Sequence, residues 1–478
     1  MARPSRRTFL EQSLLAAAAA ATPWTPALGA AEKRRKRRPN DRLGLAVIGV
    51  RGRGRGHIGA WKQSPDADVV AICDADQGVI GPAMKSVPKA RYYKDLRKLL
   101  EAPDIDAVSI ATPNHWHSLA AIWALQAGKH VYVEKPVSHN VFEGRQVVEA
   151  AKRYGRIVQH GTQSRSATAT REAIAWLQSG GLGEVRLARA LCYKRRNSIG
   201  KVAGPQQVPE SLDYDLWTGP AAMQPLMRKN LHYDWHWVFE TGNGDLGNQG
   251  VHQMDIARWG LDLKGLPKRV QSWGGRVGYV DDGNTPNTQI ALYDYGEKQI
   301  IFEVRGLKTD AYRGAHIGVI FYGEHGYLVS ASYGKLQAFD HDGKVIKTFT
   351  GDANHFQNFL DAIKAEDSNR LTAPILEGHW SSALCHLGNI SYRLGQARSL
   401  SDTLEPFAGH QEANDSVART REHLLANGLN ADQWKVQYGP LLAFHSEKEA
   451  FHGAMADQAN ALLTRAYREP YVVPSRLG

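Results

Sequence analysis

Residues 46–61 read AVIGVRGRGRGHIGAW, with three arginines and five glycines in close alternation. Two chemistries suit such a stretch. A glycine turn can cradle a pyrophosphate on the free N–H groups of a helix N-terminus, and an Arg-Gly tract can bind nucleic acid. The spacing approaches G-x-G-x-x-G over Gly49, Val50, Arg51, Gly52, Arg53 and Gly54, with Arg51 in place of the middle glycine. That arginine either obstructs the phosphates or turns outward and lays its guanidinium on them, with Gly52 taking up the turn. Asp74 favours the pyrophosphate. It follows VVAIC, 25 residues after Gly49, where a carboxylate binds the adenosine ribose hydroxyls and repels a 2′-phosphate. The expected ligand is NAD rather than NADP.

Further candidate groups follow. Thr112-Pro113-Asn114-His115-Trp116-His117 and Glu134-Lys135-Pro136 end the third and fourth apolar runs, at the carboxyl edge where open α/β sheets bind ligands. Between Gly242 and Asp255 a helix opens on which His252 and Asp255, three apart, are expected to share a face. His115 and His117 could pair on a metal, but no third ligand has matching spacing. They are expected in the cleft, and no metal is expected. Tyr233-Asp234-Trp235-His236-Trp237 reads either as core aromatics or as a stacking wall for a sugar ring.

These groups need elements to position them. LGLAVIGV, DADVVAICDAD, IDAVSIAT, KHVYVEKP and GRIVQHG alternate with helical stretches such as LAAIWALQAG and FEGRQVVEAAKRYG. Strands alternating with helices imply a doubly wound parallel sheet, here over residues 43–166, with a helix after the glycine turn beginning near His57. Residues 167–397 change character. Alternating strands joined by YGEK, GEHG and HDGK turns predict a second α/β domain with a large, mostly antiparallel open sheet and helices on one side. Residues 398–478 read as a largely helical extension.

The formal net charge of +11 does not argue for nucleic acid, because nine basic and two acidic residues in positions 1–38 place +7 there and leave +4 on the remaining 440. Ser5-Arg6-Arg7-Thr8-Phe9-Leu10, a short apolar run and a small-residue exit describe a cleavable export signal over residues 1–31. It resembles a twin-arginine signal, so the export machinery is an expected partner and the periplasm the expected location. A basic linker follows over residues 32–42, and the apolar run is too short for stable membrane insertion. Cys73, Cys192 and Cys385 form no CxxC pair and are expected as buried thiols.

Taken in order, the glycine turn, TPNHWH, EKP and the GxH helix resemble the Gfo/Idh/MocA family of nicotinamide-dependent oxidoreductases over residues 43 to about 397. The resemblance implies a Rossmann domain with an α/β domain whose open sheet forms a homo-oligomer interface. It implies a sugar, cyclitol or related polyol as substrate. Among the catalytic residues so implied, Lys135 would bond the reacting hydroxyl and His252 would accept its proton, while Asn248, where the family usually has aspartate, would orient the substrate and Asp245 or Asp255 would supply the charge. The implied cofactor site comprises Gly49, Arg51, Gly52, Arg53, Gly54, Asp74, Thr112, Pro113, Asn114, His117, Glu134 and Lys135. The implied substrate site comprises His115, Trp235, His236 and Asp255.

Three functions follow. The first is an oxidoreductase with tightly bound NAD and redox-neutral turnover. The second is an NAD-dependent glycoside hydrolase or lyase working through a transient keto-sugar. The third, raised by Asn248, is a non-catalytic binding protein on the same fold.

Overall fold

The computed structural model describes residues 42–477, so the expected export signal and most of the linker lie outside the described residues. Six parallel strands form the first sheet: β1 (Leu43–Ile48), β2 (Ala67–Cys73), β3 (Arg91–Tyr93), β4 (Ala107–Ile110), β5 (His130–Val133) and β6 (Val158–His160), in the order β3-β2-β1-β4-β5-β6. β1 and β4 are buried along their whole length, as continuous apolar runs between two helical layers must be. The direction of winding reverses between β1 and β4, and the ends of these strands carry the glycine turn and TPNHWH. The edge strand β3 is absent from the sequence reading because RYY is too short and too exposed to show a pattern.

Helix α1 (Arg53–Gln63) starts four residues before His57. Gly52, at φ +56°, makes the turn into it, and arginine is a good helix former, so the charged stretch is already helical. Helices α2 (His117–Gln126) and α3 (Val141–Tyr154) follow β4 and β5. Asn140 caps α3 by accepting from the Glu143 N–H, and Gly155 ends it in the left-handed region.

The second sheet has twelve strands. Its ordered path is β14 (Val345–Thr350), β13 (Lys335–Phe339), β12 (Gly326–Ser332), β11 (Ile317–Gly323), β7 (Val185–Tyr193), β10 (Gln299–Arg305), β9 (Thr288–Asp294), β8 (Arg269–Gly275), β16 (Lys435–Tyr438) and β15 (Gln396–Ser399). β17 (Leu442–His445) joins β8, and β18 (Ala450–His452) joins β17. Only β7 and β10 pair in parallel. Helices α4 (Thr168–Gln178), α5 (Gly250–Gly260) and α6 (Ile375–Arg393) bury one face of this sheet, with Met254, Phe302, Phe321 and Leu384 in the shared core.

The expected helical extension is corrected here. Residues from 396 onward contribute four strands to the second sheet, and helix α7 (Gln411–Ala426) lies across the sheet's other face. Phe407, Val417 and Leu424 pack there on Trp273, Ile290 and Ile301. The strand segments are only three or four residues long, so their alternation was masked. The face expected to be open is thus covered over β8–β10 by the chain's own C-terminal part.

Candidate active site

A cleft of about 640 Å³ runs between the carboxyl edge of the first sheet and the second domain. The glycine turn forms one wall. Gly49 (φ +81°) brings its backbone so close to TPNHWH that an added Cβ would stand 2.7 Å from the Thr112 nitrogen. At Gly54 a Cβ would stand 1.8 Å from the Gly49 oxygen, so neither position tolerates a side chain. No side chain caps α1, and no acidic residue occupies its first turn. Its N-terminal N–H groups and dipole face the cleft. Thr112 Oγ1 and Asn114 Oδ1 are buried without a partner, and both residues line the cleft, as does Pro113. These features fit a dinucleotide's pyrophosphate and amide.

Arg51 turns outward, and its Nη1 donates to the His232 carbonyl at 3.4 Å. Arg53 lines the cleft, but its Nε donates to Glu134 Oε1 at 2.8 Å. At the end of β2, Asp74 accepts from the Val50 N–H at 2.9 Å and the Asp76 N–H at 3.0 Å. Burial pushes its carboxyl up from the ordinary value, against those two donors. Free lone pairs remain for a ribose diol. Asp74→Ala is expected to weaken NAD binding by about 1–3 kcal/mol, the cost of charge-assisted hydrogen bonds, and to erode the preference against NADP. Calorimetric titration of both dinucleotides checks this, and a wild type that binds NADP as well as NAD would contradict it.

At the other end of the cleft, the Lys135 ammonium donates to the Asn248 backbone carbonyl. Burial lowers its pKa, opposed by Glu134 and Asp245. The side chain of Asn248 makes only a long contact, 3.4 Å, to Asp245 Oδ1. Asp245 is itself held by two hydrogen bonds from Arg196, at 3.0 and 2.7 Å. His252, on the first turn of α5, lines the cleft beside Tyr333, with ring centroids 5.5 Å apart. Its Nδ1 is buried and unpartnered. Burial, reinforced by the Lys135 charge, holds its pKa well below the ordinary value. It is a neutral imidazole able to accept a proton. Trp235 and His236 line the same end as a stacked pair, with centroids 3.6 Å apart.

Glu134 sits beneath this floor as a hub. Besides Arg53 it accepts from His57 Nε2 at 3.0 Å and Gln163 Nε2 at 3.1 Å. Burial alone would raise its carboxyl, but His57, Arg53 and Lys135 hold it well below the usual range. With Nε2–H given to the carboxylate, the His57 Nδ1 is left to accept from Ser109 Oγ at 2.8 Å. Neither His57 nor Gln163 stood out in the sequence, since nothing in their local pattern marks them.

Two expectations, for His115 and Asp255, are corrected by placement. His115 does not line the cleft: its ring nitrogens lie 3.3 and 3.0 Å from the Thr241 and Trp217 carbonyls. The ring is buried in the joint between the domains. His117 lines the cleft as expected, and its ring also spans the Pro136 and Thr112 carbonyls at 2.6 and 2.8 Å, so it braces TPNHWH against EKP. Asp255 is buried behind the cleft, bonded to Arg165 Nε at 2.7 Å and Ser381 Oγ at 2.8 Å. Residues three apart on a helix differ by about 60° in direction, which suffices to turn Asp255 away from the cleft that His252 faces.

Residues 43–162 match the model of an oxidoreductase family described as an NAD-binding Rossmann fold. Residues 185–425 match the companion model, the family's C-terminal alpha/beta domain. Among curated relatives, a glycosyl hydrolase family 109 protein of Shewanella pealeana is 33% identical over 169 residues, covering 31% of this chain and 37% of the relative. An alpha-N-acetylgalactosaminidase of Shewanella oneidensis is 37% identical over 118 residues, covering 23% of this chain and 26% of the relative. The chain thus spans between about a quarter and two fifths of these relatives' length. Among solved structures, the WlbA dehydrogenase of Bordetella pertussis, in complex with NADH and UDP-GlcNAcA, superposes with a TM-score of 0.56 at 19% identity, covering 74% of this chain and 97% of that one. An oxidoreductase of Thermotoga maritima gives 0.55 at 18%, covering 73% and 98%.

Proposed function

This chain belongs to the Gfo/Idh/MocA family of NAD(P)-dependent oxidoreductases, and from that premise we propose that it acts on a carbohydrate or polyol carbon with NAD retained and no net redox change. The observation that carries this reading is the meeting of Lys135 and His252, from different domains, at one end of a cleft whose other end suits an adenosine. A bound nicotinamide supplies a reversible hydride acceptor. The protein does the rest. Lys135 donates to the reacting oxygen and stabilises its developing negative charge. The neutral His252 takes the hydroxyl proton. Trp235 and His236 offer a flat wall on which a sugar ring can stack.

Export supports the redox-neutral part. Read with the twin-arginine signature at Arg6 and Arg7, the protein would leave the cytoplasm folded and loaded with NAD. Outside it would find little free nucleotide to exchange. The hydride would then pass to a second substrate or return to the first. A second copy of the chain would dock at the β11–β14 end of the large sheet, where Tyr322, Tyr327 and Phe339 are half-buried.

The curated relatives favour a second reading, glycoside cleavage. Oxidation of a ring hydroxyl to a ketone acidifies the neighbouring C–H. Loss of that proton expels the glycosidic oxygen, and addition of water followed by reduction completes hydrolysis. One experiment covers both readings. The mature protein, purified without nucleotide and then denatured, is expected to release about one NAD per chain, as slow dissociation requires. The intact protein is then offered free sugars and aryl glycosides. Product without net NADH supports redox-neutral turnover, and a freed aglycone identifies cleavage. An empty protein that turns over only with added NAD would rule out retention.

A further inference from the structure

The excursion between β7 and the short helix Gly244–Asn248 is tied to the Rossmann domain by Trp116, whose Nε1 donates to the Leu216 and Trp217 carbonyls at 2.9 and 3.0 Å, and it meets that domain again at two places beside Asp74. At the first, the Gln77 N–H donates to the Ser211 carbonyl at 3.0 Å, the Asp213 N–H donates to the Ala75 carbonyl at 3.0 Å, and Ser211 Oγ donates to Asp76 Oδ1 at 2.7 Å. At the second, His232 Nε2 lies 2.7 Å from Asp76 Oδ2, and the His232 carbonyl accepts from Arg51. Asp76, only 4% exposed, also accepts from the Gly78 N–H at 2.8 Å. One residue of the second domain therefore touches both sides of the groove: the glycine turn through Arg51, and the loop two residues past Asp74 through Asp76. Trp217 and His232 line the same cleft as Asp74, so the excursion walls the adenosine end.

Leu216 anchors the segment on the Rossmann core, and the rest of it has a small core of its own. Leu212, Trp217, Leu226 and Leu231 form a small cluster of their own, apart from the main core of the second domain. Met223 and Met227 at its tip are 46% and 40% exposed. So small a cluster favours local opening over a rigid wall.

We propose that residues 208–235 form a latch over the adenosine half of the bound dinucleotide, bolted by the Asp76–His232 pair, and that this latch slows cofactor release. The proposal rests on the reading that NAD is retained, and it makes His232 and Asp76 positioning residues outside the chemistry. A dinucleotide held on the glycine turn and Asp74 cannot leave that end until the bolt opens.

The test is the release rate of NADH, followed by its fluorescence while excess NAD displaces it. Asp76→Asn and His232→Leu are expected to release NADH about tenfold faster or more. His232→Gln, which can still donate to Asp76, should lie between them and the wild type. Equal rates in wild type and variants would overturn the latch while leaving retention standing. A wild type purified empty would instead defeat retention, and the same rate comparison on added NADH would still decide the latch. If the variants fail to fold, amide exchange in the wild type decides: NADH should slow exchange at residues 208–235, and unchanged exchange there overturns the proposal.

Discussion

Replacing Lys135 with methionine is expected to lower turnover by about 10²-fold or more, the scale of losing one preorganised charge at the reacting oxygen, with NAD binding little changed. The geometry makes the side chain hard to replace. It leaves the end of β5 and reaches across the cleft to the Asn248 carbonyl, so its position depends on both domains. A family aspartate at 248 would share the charge, but here an amide stands there, and Asp245 is committed to Arg196. Glu134 beneath it and Asp245 keep the buried ammonium charged, but neither bonds it directly, so the charge is left to face the substrate. Methionine keeps the apolar stem and removes the charge. His252→Ala should cost about 10²–10⁴-fold, the range for a lost general base, and added imidazole should restore part of it. Both are read as the rate at which bound NAD is reduced on mixing with substrate. Near-wild-type rates in both variants would remove these residues from the mechanism.

Acid lability is the second large effect expected. His160, His355 and His386 are all buried. Burial lowers their pKa values to about 3, about 4 and about 3. His160 Nε2 and His386 Nδ1 have no partner to welcome a proton. In the unfolded chain each would titrate near the ordinary value of about 6.5. Below that pH the unfolded state binds protons that the native state refuses, so stability falls as pH falls, until the native values are reached. Each such residue removes about 2 kcal/mol between about pH 7.5 and pH 5, or about 6 kcal/mol for three. That is a large share of a typical domain stability.

The depressed carboxyls act in a different window. Glu303 and Glu449 are both held at about 2: burial alone would raise them, but Arg189, Arg419 and Arg305 outweigh it at Glu303, and His379 and Arg145 at Glu449. Their stabilisation is complete above about pH 4.5 and is lost only as pH falls from there toward 2. Urea unfolding at pH 7.5 and at pH 5 measures the histidine contribution. His160→Gln should flatten the pH dependence by one proton. Equal midpoints at the two pH values would show that the buried rings do not stay neutral.

What could be read from the chain alone was whatever repeats along it or must be small. Apolar runs alternating with helical periods determine a doubly wound sheet, because both faces of each strand are buried. Gly49 and Gly54 declare a turn that no side chain can enter. Asp74 and Lys135 are placed by their position at strand ends, which the sheet brings to one edge. Tertiary structure decided what depends on direction and on distant partners. His252 faces the cleft and Asp255 does not, because helix α5 is rotated by its packing in the large core. His115 was taken by carbonyls more than a hundred residues away, and no local pattern encodes such acceptors. The partners of Glu134 come from positions 53 and 57 on helix α1 and from position 163 in a turn after β6. The C-terminal strands depend on the edge that β8 offers, since segments of three or four residues gain their hydrogen bonds and burial from the sheet they join, not from their own sequence.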